Sequence, residues 1–297
     1  MKLQTKSLKK LLATVATAIT IQSIGIVTVP SASYASTIQI AKCPASGSIS
    51  EDTFKATIDG SSEAVAGCYT PAASYEINIY EVGICTQSPI SNGAFSRSTC
   101  ATIFLNQSGT GYINIANSSV DLSNGYLPSN DSTSRSYAYV IINPTIKTSG
   151  SYSTTTRTYY SGDTNYLGFS SGAAGVESKL VGPASTFSFT AGVGYDIDPG
   201  IILQCYGGAS LASYNVSYAL LNAADSVPAV AGGICNGATK IVISMNTSTP
   251  VTAASRLNLR FNVSEYALIV QSHDIDFPNK AVPAFTLGIP LIDIISQ

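Results

Sequence analysis

The most regular alternation of apolar and polar residues lies in the stretch 74–100. Apolar side chains occupy every second position from Tyr75 to Ile79, which is the period of a strand with one buried face. The phase then shifts by one residue, so that Val82 and Ile84 are apolar. One extra residue near Tyr80–Glu81 would explain the shift as a β-bulge. The sequence therefore predicts a long, bulged strand that ends at Cys85, and we expect the rest of the chain to pack around it.

Shorter stretches of the same period recur along the chain, separated by Gly, Pro, Asn and Ser. They predict strands at Thr37–Lys42, Thr53–Ile58, Ala101–Leu105, Gly109–Ala116, Thr186–Ala191, Tyr214–Leu221, Thr239–Met245, Leu257–Val263 and Tyr266–Gln271. No stretch longer than about ten residues has the helix period. The pattern predicts an all-β fold, an antiparallel β-sandwich of jelly-roll-like type with long loops and little helix.

Two longer segments lead to more specific expectations. Ser136–Tyr160 reads as a hairpin that turns at Thr148–Gly150. The C-terminal stretch Val282–Ile295 reads as one strand, and Pro290 makes it an edge strand because proline has no N–H to donate to a ladder. Its apolar residues at period two are Phe285, Leu287, Ile289 and Leu291.

The first 35 residues have the order of a secretory signal peptide. Four lysines precede an uncharged apolar run over 11–29, and a small-x-small cleavage site ends at Ala35. The run is long enough to be an uncleaved membrane anchor, but the polar residues within it and the site at Ala35 favour cleavage. We expect residues 36–297 to form the secreted domain, with no membrane span after cleavage and with a candidate internal joint in the turn-rich stretch 123–135. The length of this part of the chain is compatible with one large domain or with two small ones.

The charge of the mature chain argues against one class of binding partner, nucleic acid. Cleavage would remove 35 of 297 residues and four of the 15 basic residues, which leaves 11 basic residues against 17 acidic ones. A net charge of −6 without a clustered basic face argues against nucleic acid. Charged residues are 11 % of the chain, about half the usual share. An exported β protein with uncharged, hydrogen-bonding faces fits this composition.

Six cysteines all lie in the exported part, which predicts disulfide bonds in an oxidising compartment. Six cysteines allow 15 connectivities. We favour the sequential one, because each bond then closes a short local loop: Cys43–Cys68, Cys85–Cys100 and Cys205–Cys235. A cysteine metal site is disfavoured, since no C-x-x-C occurs and His273 is far from every cysteine in sequence.

One short motif suggests catalysis. Gly168–Gly172 matches G-x-S-x-G with Ser170 as the nucleophile. An aspartate (Asp196, Asp198 or Asp225) and then His273 follow in the order of an α/β-hydrolase triad. The buried strand and the helix that should flank the motif are absent from the pattern, so a serine hydrolase is the less favoured alternative. We expect that the protein is not an enzyme.

Two neighbouring aspartates suggest a binding site for a cation. Asp196 and Asp198 lie on one side of a turn and could supply hard oxygen ligands to Ca²⁺. The same residues also make a good turn without any ion. We therefore expect no cofactor, with calcium as the alternative.

The apolar tails indicate self-association. Ile38 and Ile40 directly follow the cleavage site, and the C-terminal apolar residues named above alternate in the same way. Extended segments of this kind can add to the open sheet of a neighbouring subunit. The sequence favours a filament or coat subunit of the cell surface or extracellular matrix that assembles by β-strand addition, which resembles bacterial fimbrial subunits in composition and architecture. An adhesin or carbohydrate-binding module that recognises surface glycans or proteins is the alternative.

Overall fold

A computed structural model gives the conformation of most of the chain after residue 40. It describes residues 41–58, 67–116, 119–121, 127, 131–167, 174–190, 205–211, 214–228, 230–231, 234–235, 237–252, 257–262, 267–272, 283–288 and 291–296. All of these residues belong to one compact unit, Ala35–Gln297. The predicted signal peptide and residues 123–126 and 128–130 of the candidate joint at 123–135 lie outside the described residues.

The described residues form one helix, α1 (Glu51–Ile58), and short strands. The strands are β1 (Ala41–Lys42), β2 (Gly67–Thr70), β3 (Ala72–Cys85), β4 (Ile90–Ser91), β5 (Ala94–Phe95), β6 (Cys100–Leu105), β7 (Tyr112–Asn114), β8 (Ser119–Asp121), β9 (Arg135–Ile142), β10 (Thr145–Ser153), β11 (Thr158–Leu167), β12 (Ala174–Lys179), β13 (Phe187–Thr190), β14 (Tyr206–Leu211), β15 (Tyr214–Leu221), β16 (Val230–Ala231), β17 (Ile234–Cys235), β18 (Lys240–Val251), β19 (Leu257–Asn262), β20 (Leu268–Ser272), β21 (Pro283–Leu287) and β22 (Leu291–Ser296).

Fifteen strands form one curled sheet, in which β3 is the central member. The main path runs β1-β2-β20-β21-β12-β11-β10-β3-β9-β18-β15-β14, with β13 on β10 and with β6 and β7 on β3. Three small sheets, β22-β19-β8, β16-β17 and β4-β5, accompany it. With the exception of β1 on β2, all of the described pairings are antiparallel. The all-β, sandwich-like prediction is confirmed.

Strand β3 pairs with two successive strands along each of its edges. Along one edge its first half pairs with β10 and its second half with β9. Along the other edge the partners are β7 and β6. The ladder to β9 shifts between Ile79 and Glu81, where the apolar phase of the sequence changes. The predicted bulge is therefore confirmed, and it keeps Ile79 and Val82 in the same core although they are three residues apart.

Both faces of the second half of β3 are covered. Ile84 belongs to the main core, whereas its neighbour Cys85 belongs to a smaller core on the opposite face. The loop 86–99 supplies Ile90 and Phe95 to the smaller core. Burial on both faces explains why this half of the strand contains almost no exposed side chain.

The predicted strand at Thr53–Ile58 is wrong, because this segment is helix α1. Ser50 caps the helix by accepting a hydrogen bond from the Thr53 backbone N–H at 3.2 Å. Phe54 and Ile58, one turn apart, are fully buried, and the Phe54 ring stacks on Tyr152 with 4.6 Å between centroids. Their spacing satisfies the strand period as well as the helix period, so apolar spacing alone could not separate the two.

The predicted hairpin at Ser136–Tyr160 is also wrong. Strands β9 and β10 do not pair with each other; they follow one another along the same edge of β3, and Pro144 lies between them. Thr148–Gly150 lies inside β10, and the turn into β11 is at 154–157.

The C-terminal stretch is not one edge strand. It forms β21, which lies between β20 and β12 inside the large sheet, and β22, which is the outer strand of a small sheet. Ile289 and Pro290 lie between the two strands, outside the described residues.

Candidate functional site

Several of the sequence candidates cannot be placed. Ser170, His273, Asp196, Asp198, Ile38, Ile40 and Ile289 lie outside the described residues. The hydrolase and calcium hypotheses therefore remain untested at their key positions. Within the described ranges, no group of three or more His, Cys, Asp or Glu side chains is arranged to hold a metal ion.

All six cysteines are paired in the sequential order. The bonds join Cys43 to Cys68, Cys85 to Cys100 and Cys205 to Cys235. Cys85 and Cys100 face each other across β3 and β6, so this bond links two strands directly. Three disulfides indicate an oxidising, extracellular environment.

The main polar site is a carboxylate inside the smaller core. Glu81 is only 5 % exposed, and its carboxylate accepts two parallel hydrogen bonds from the Arg97 guanidinium, each 2.7 Å long. The hydroxyl of Tyr139 donates to Glu81 Oε1 at 2.6 Å, and the hydroxyl of Thr102 donates to it at 3.2 Å. Both carboxylate oxygens are thus satisfied by a geometry that fits the guanidinium fork.

Arg97 connects this carboxylate to a second ion pair. Its Nη2 also donates to Asp225 Oδ2 at 2.9 Å, and Lys240 Nζ donates to Asp225 Oδ1 at 2.7 Å. The guanidinium carbon lies 4.8 Å from the centroid of the Phe95 ring. Glu81, Arg97, Asp225 and Lys240, which we call the ion-pair chain, therefore join β3, the loop 86–99, the turn after β15 and the start of β18.

A missing side chain makes room for this arrangement. A Cβ atom on Gly83 would lie 2.3 Å from Cε1 of Tyr139 and 2.6 Å from its hydroxyl oxygen. Glycine at this position lets the Tyr139 ring lie directly on β3, so that its hydroxyl reaches Glu81. The ring also contacts Phe95 edge to face, with 5.5 Å between centroids.

The electrostatics keep the carboxylates ionised. Burial by itself would raise the pKa of Glu81, but the hydrogen bonds from Arg97 and Tyr139 and the charge of Arg97 outweigh it, and the pKa is lowered. The pKa of Asp225 is lowered for the same reason, with Lys240 and Arg97 outweighing burial. Burial, followed by the hydrogen bond to Glu81, raises the pKa of Tyr139.

These properties define a structural role for the ion-pair chain. A general acid needs a raised carboxyl pKa, and a general base needs an oxygen able to take a proton from substrate. Glu81 and Asp225 are ionised and occupied by cations instead. Asp225, the triad candidate within the described residues, is thus committed to Arg97 and Lys240.

The two predicted strand-exchange tails differ in the structure. At the C-terminal tail, Phe285 and Leu287 are buried in the core of their own subunit. Leu291 begins β22, which pairs with β19. At the N-terminal tail, Ala41–Lys42 pairs in parallel with Cys68–Tyr69 at the end of the large sheet, and Cys43 is bonded to Cys68 directly beyond it.

Open sheet edges are the other candidate interaction sites. Glu81 pairs with Leu105 on one side and with Ile141 on the other, so β6 lies on the edge of β3 opposite β9. In the part of the chain that the structure describes, β6 and β7 pair with no strand beyond β3. Leu105, in β6, is 62 % exposed, and Tyr112, in β7, is also exposed.

The ion-pair chain was not found from the sequence. Glu81 was recognised only as the position of the bulge, and Arg97 lies in a loop that reads as a simple connection. The available signal was the pair of cysteines around that loop, since a disulfide between Cys85 and Cys100 holds residue 97 close to β3. The contact between Arg97 and Asp225 spans 128 residues and has no local signal.

Comparison with known proteins adds no family to this description. No protein-family model, curated protein or solved structure matches the chain. Among the described residues, no helix is both long enough and apolar enough to cross a membrane. The fold therefore defines the class of this protein as all-β with three disulfides. A role for it must be argued from its own sequence and structure.

Proposed function

We propose that this protein is a secreted, non-enzymatic structural subunit of the cell surface or extracellular matrix, and that its copies join by β-strand addition. The N-terminal segment Thr37–Lys42 is the donor strand. The single observation that supports this assignment most is the position of β1, the first strand in the order of the large sheet.

The entry point of the N-terminal segment suits a donor strand. Residues 36–40 precede a two-residue strand at the end of a sheet, and Ile38 and Ile40 alternate with polar residues. A donor strand needs this alternation, because its backbone pairs with an edge while every second side chain enters the neighbour's core. The bond between Cys43 and Cys68 ties the base of the segment covalently to β2, so tension on the donor is passed to the sheet.

The C-terminal tail is a weaker donor. Strand β21 has a partner on each side, and its Phe285 and Leu287 side chains are buried in their own subunit. Giving this strand to a neighbour would first require taking both side chains out of their own core, at roughly 1.5–3 kcal/mol each. We therefore assign the exchange to the N-terminal segment.

The composition of the chain also supports assembly. Few charged residues means few of the side chains that normally protect sheet edges from pairing with other chains. Three disulfides suit a protein that must persist outside the cell, where it cannot be refolded.

The test measures the molar mass of the signal-cleaved protein, by size exclusion with light scattering, over a range of concentrations. We expect the fraction of the protein in oligomers to increase with protein concentration. The double substitution Ile38→Asn and Ile40→Asn should leave a folded monomer, because two polar side chains cannot enter an apolar core without cost. The matched control, Thr37→Asn with Gln39→Asn, changes the other face of the same segment and should still assemble. A wild-type protein that stays monomeric at every concentration would refute the proposal.

A further inference from the structure

We infer that the edge formed by β6 and β7 accepts the N-terminal strand of a second copy of this chain. The inference rests on the proposed function and adds the surface on which the donor binds. Three properties of the edge support it: an incompletely covered core, a matching spacing of apolar side chains, and the absence of charged residues from both strands.

The main core is incompletely covered along this edge. Ala101 and Phe104 in β6 and Ile113 in β7 pack against the main core but remain partly exposed, whereas the corresponding residues of β3 and β9 are fully buried. An added strand would cover the outer sides of these three side chains. It would do so with the face that carries Ile38 and Ile40.

The spacing of these side chains matches the donor. Ala101 and Phe104 are three residues apart in β6, but the shift of the ladder between Val82 and Gly83 places them opposite Ile84 and Val82, which are two residues apart in β3. Same-face side chains two residues apart in a strand are separated by roughly 6.8 Å. Ile38 and Ile40 have the same separation in an extended segment, so both can lie beside β6 at once.

The edge lacks two of the usual protections against pairing, although β7 is short and β6 has one extra residue, Ile103, where its ladder to β3 shifts. Strands β6 and β7 contain neither a charged residue nor a proline. The outer strands of the small sheet carry Asp121 in β8 and Asp293 in β22. Strand β14, at the other end of the large sheet, is also uncharged, but Gly207 and Gly208 reduce what an added strand could pack against.

Leu105 provides a substitution that tests the edge without disturbing the core. Its side chain is 62 % exposed at the end of β6. Leu105→Lys should leave the monomer folded and weaken association about tenfold or more, because a lysine on an edge strand opposes the pairing of another strand with that edge. The matched control is Leu180→Lys, at a leucine that is 57 % exposed just beyond β12, which should assemble like wild type.

The outcomes separate the inference from the proposed function. If wild type and both leucine variants assemble equally, the acceptor edge is elsewhere while strand addition stands. If wild type does not assemble, the proposed function itself fails.

Hydrogen exchange provides a second readout that needs no variant. The amides of Cys100–Leu105 that point away from β3 should exchange at least about tenfold more slowly in the assembled protein than in dilute monomer, because an added strand hydrogen-bonds them. Slowing confined to Tyr206–Leu211 would place the acceptor at β14 and overturn the inference.

Discussion

Gly83, Tyr139 and Glu81 show how single residues control the smaller core. The absent side chain at Gly83 lets the Tyr139 ring lie on β3, and the ring then brings its hydroxyl to the Glu81 carboxylate at 2.6 Å. A buried carboxylate without such partners would cost several kcal/mol. The arrangement therefore depends on small and polar residues that no apolar pattern reveals.

Removing the cation from the buried carboxylate should be costly. We expect Arg97→Gln to lower the free energy of unfolding by up to about 3 kcal/mol, because Glu81 would keep a charge in a buried position without its partner. Arg97 is 34 % exposed, so solvent reduces the loss from the full buried-pair value. Urea unfolding followed by circular dichroism measures the change.

The matched control for this substitution is a second Arg–Glu pair among the described residues. Arg157 contacts Glu51 but is 54 % exposed, so Arg157→Gln should cost less than about 1 kcal/mol. Equal losses for the two variants would show that Glu81 is not held as we describe.

The lowered pKa of Glu81 determines the direction in which pH changes the free energy of unfolding. Between the folded pKa and the ordinary value of about 4.3, the unfolded chain binds more protons than the folded one, so stability rises with pH there. The ion-pair contribution is complete above that ordinary value and is lost as the pH falls through the folded pKa. The difference in unfolding free energy between wild type and Glu81→Gln should be constant from about pH 6 to 8 and shrink below about pH 4. A difference that stays unchanged down to pH 3 would contradict the assignment.

At the scale of elements, the predictions from sequence succeeded where one local pattern had one meaning. The phase change at Tyr80–Glu81 has no common explanation but a bulge, and the short cysteine spacings favoured local bonds; both are confirmed. Helix α1 was missed because Phe54 and Ile58 satisfy two periods. The Ser50 cap and the acidic first turn after it were the signals that distinguish them.

Helix α1 allows a direct test of that signal. Ser50→Ala should lower the free energy of unfolding by about 1 kcal/mol, since the Thr53 N–H loses its acceptor. Ser50→Asp should restore most of the stability, because aspartate also caps and suits the positive end of the helix dipole. Thermal unfolding of the three proteins measures both effects. If Ser50→Asp is as unstable as Ser50→Ala, the cap is not what holds the start of this helix.

Strand pairing was harder to predict than strand position. The residues of β9 and β10 were recognised as extended, but the sequence could not show that both align along β3 instead of pairing with each other. The C-terminal tail failed in the same way, because period two places side chains on a face and does not say whether a strand is central or at an edge. Pairing is decided by contacts between residues far apart in sequence.

At the scale of the molecule, β3 is the strand around which the sheet is built. Strand β3 pairs with β10 and β9 along one edge and with β7 and β6 along the other. Its bulge lets apolar side chains on both sides of the phase change face the main core. Its pairings and the three disulfides explain a stable all-β scaffold. The uncharged β6–β7 edge is the surface that we propose for another copy.

The central claim is that this scaffold polymerises through its N-terminal strand. Negative-stain electron microscopy of the signal-cleaved protein at high concentration tests it most directly. We predict filaments or ordered coats in the wild-type sample and none in the variant with Ile38→Asn and Ile40→Asn. Uniform single particles in the wild-type sample at every concentration, or identical assemblies in both samples, would contradict the account.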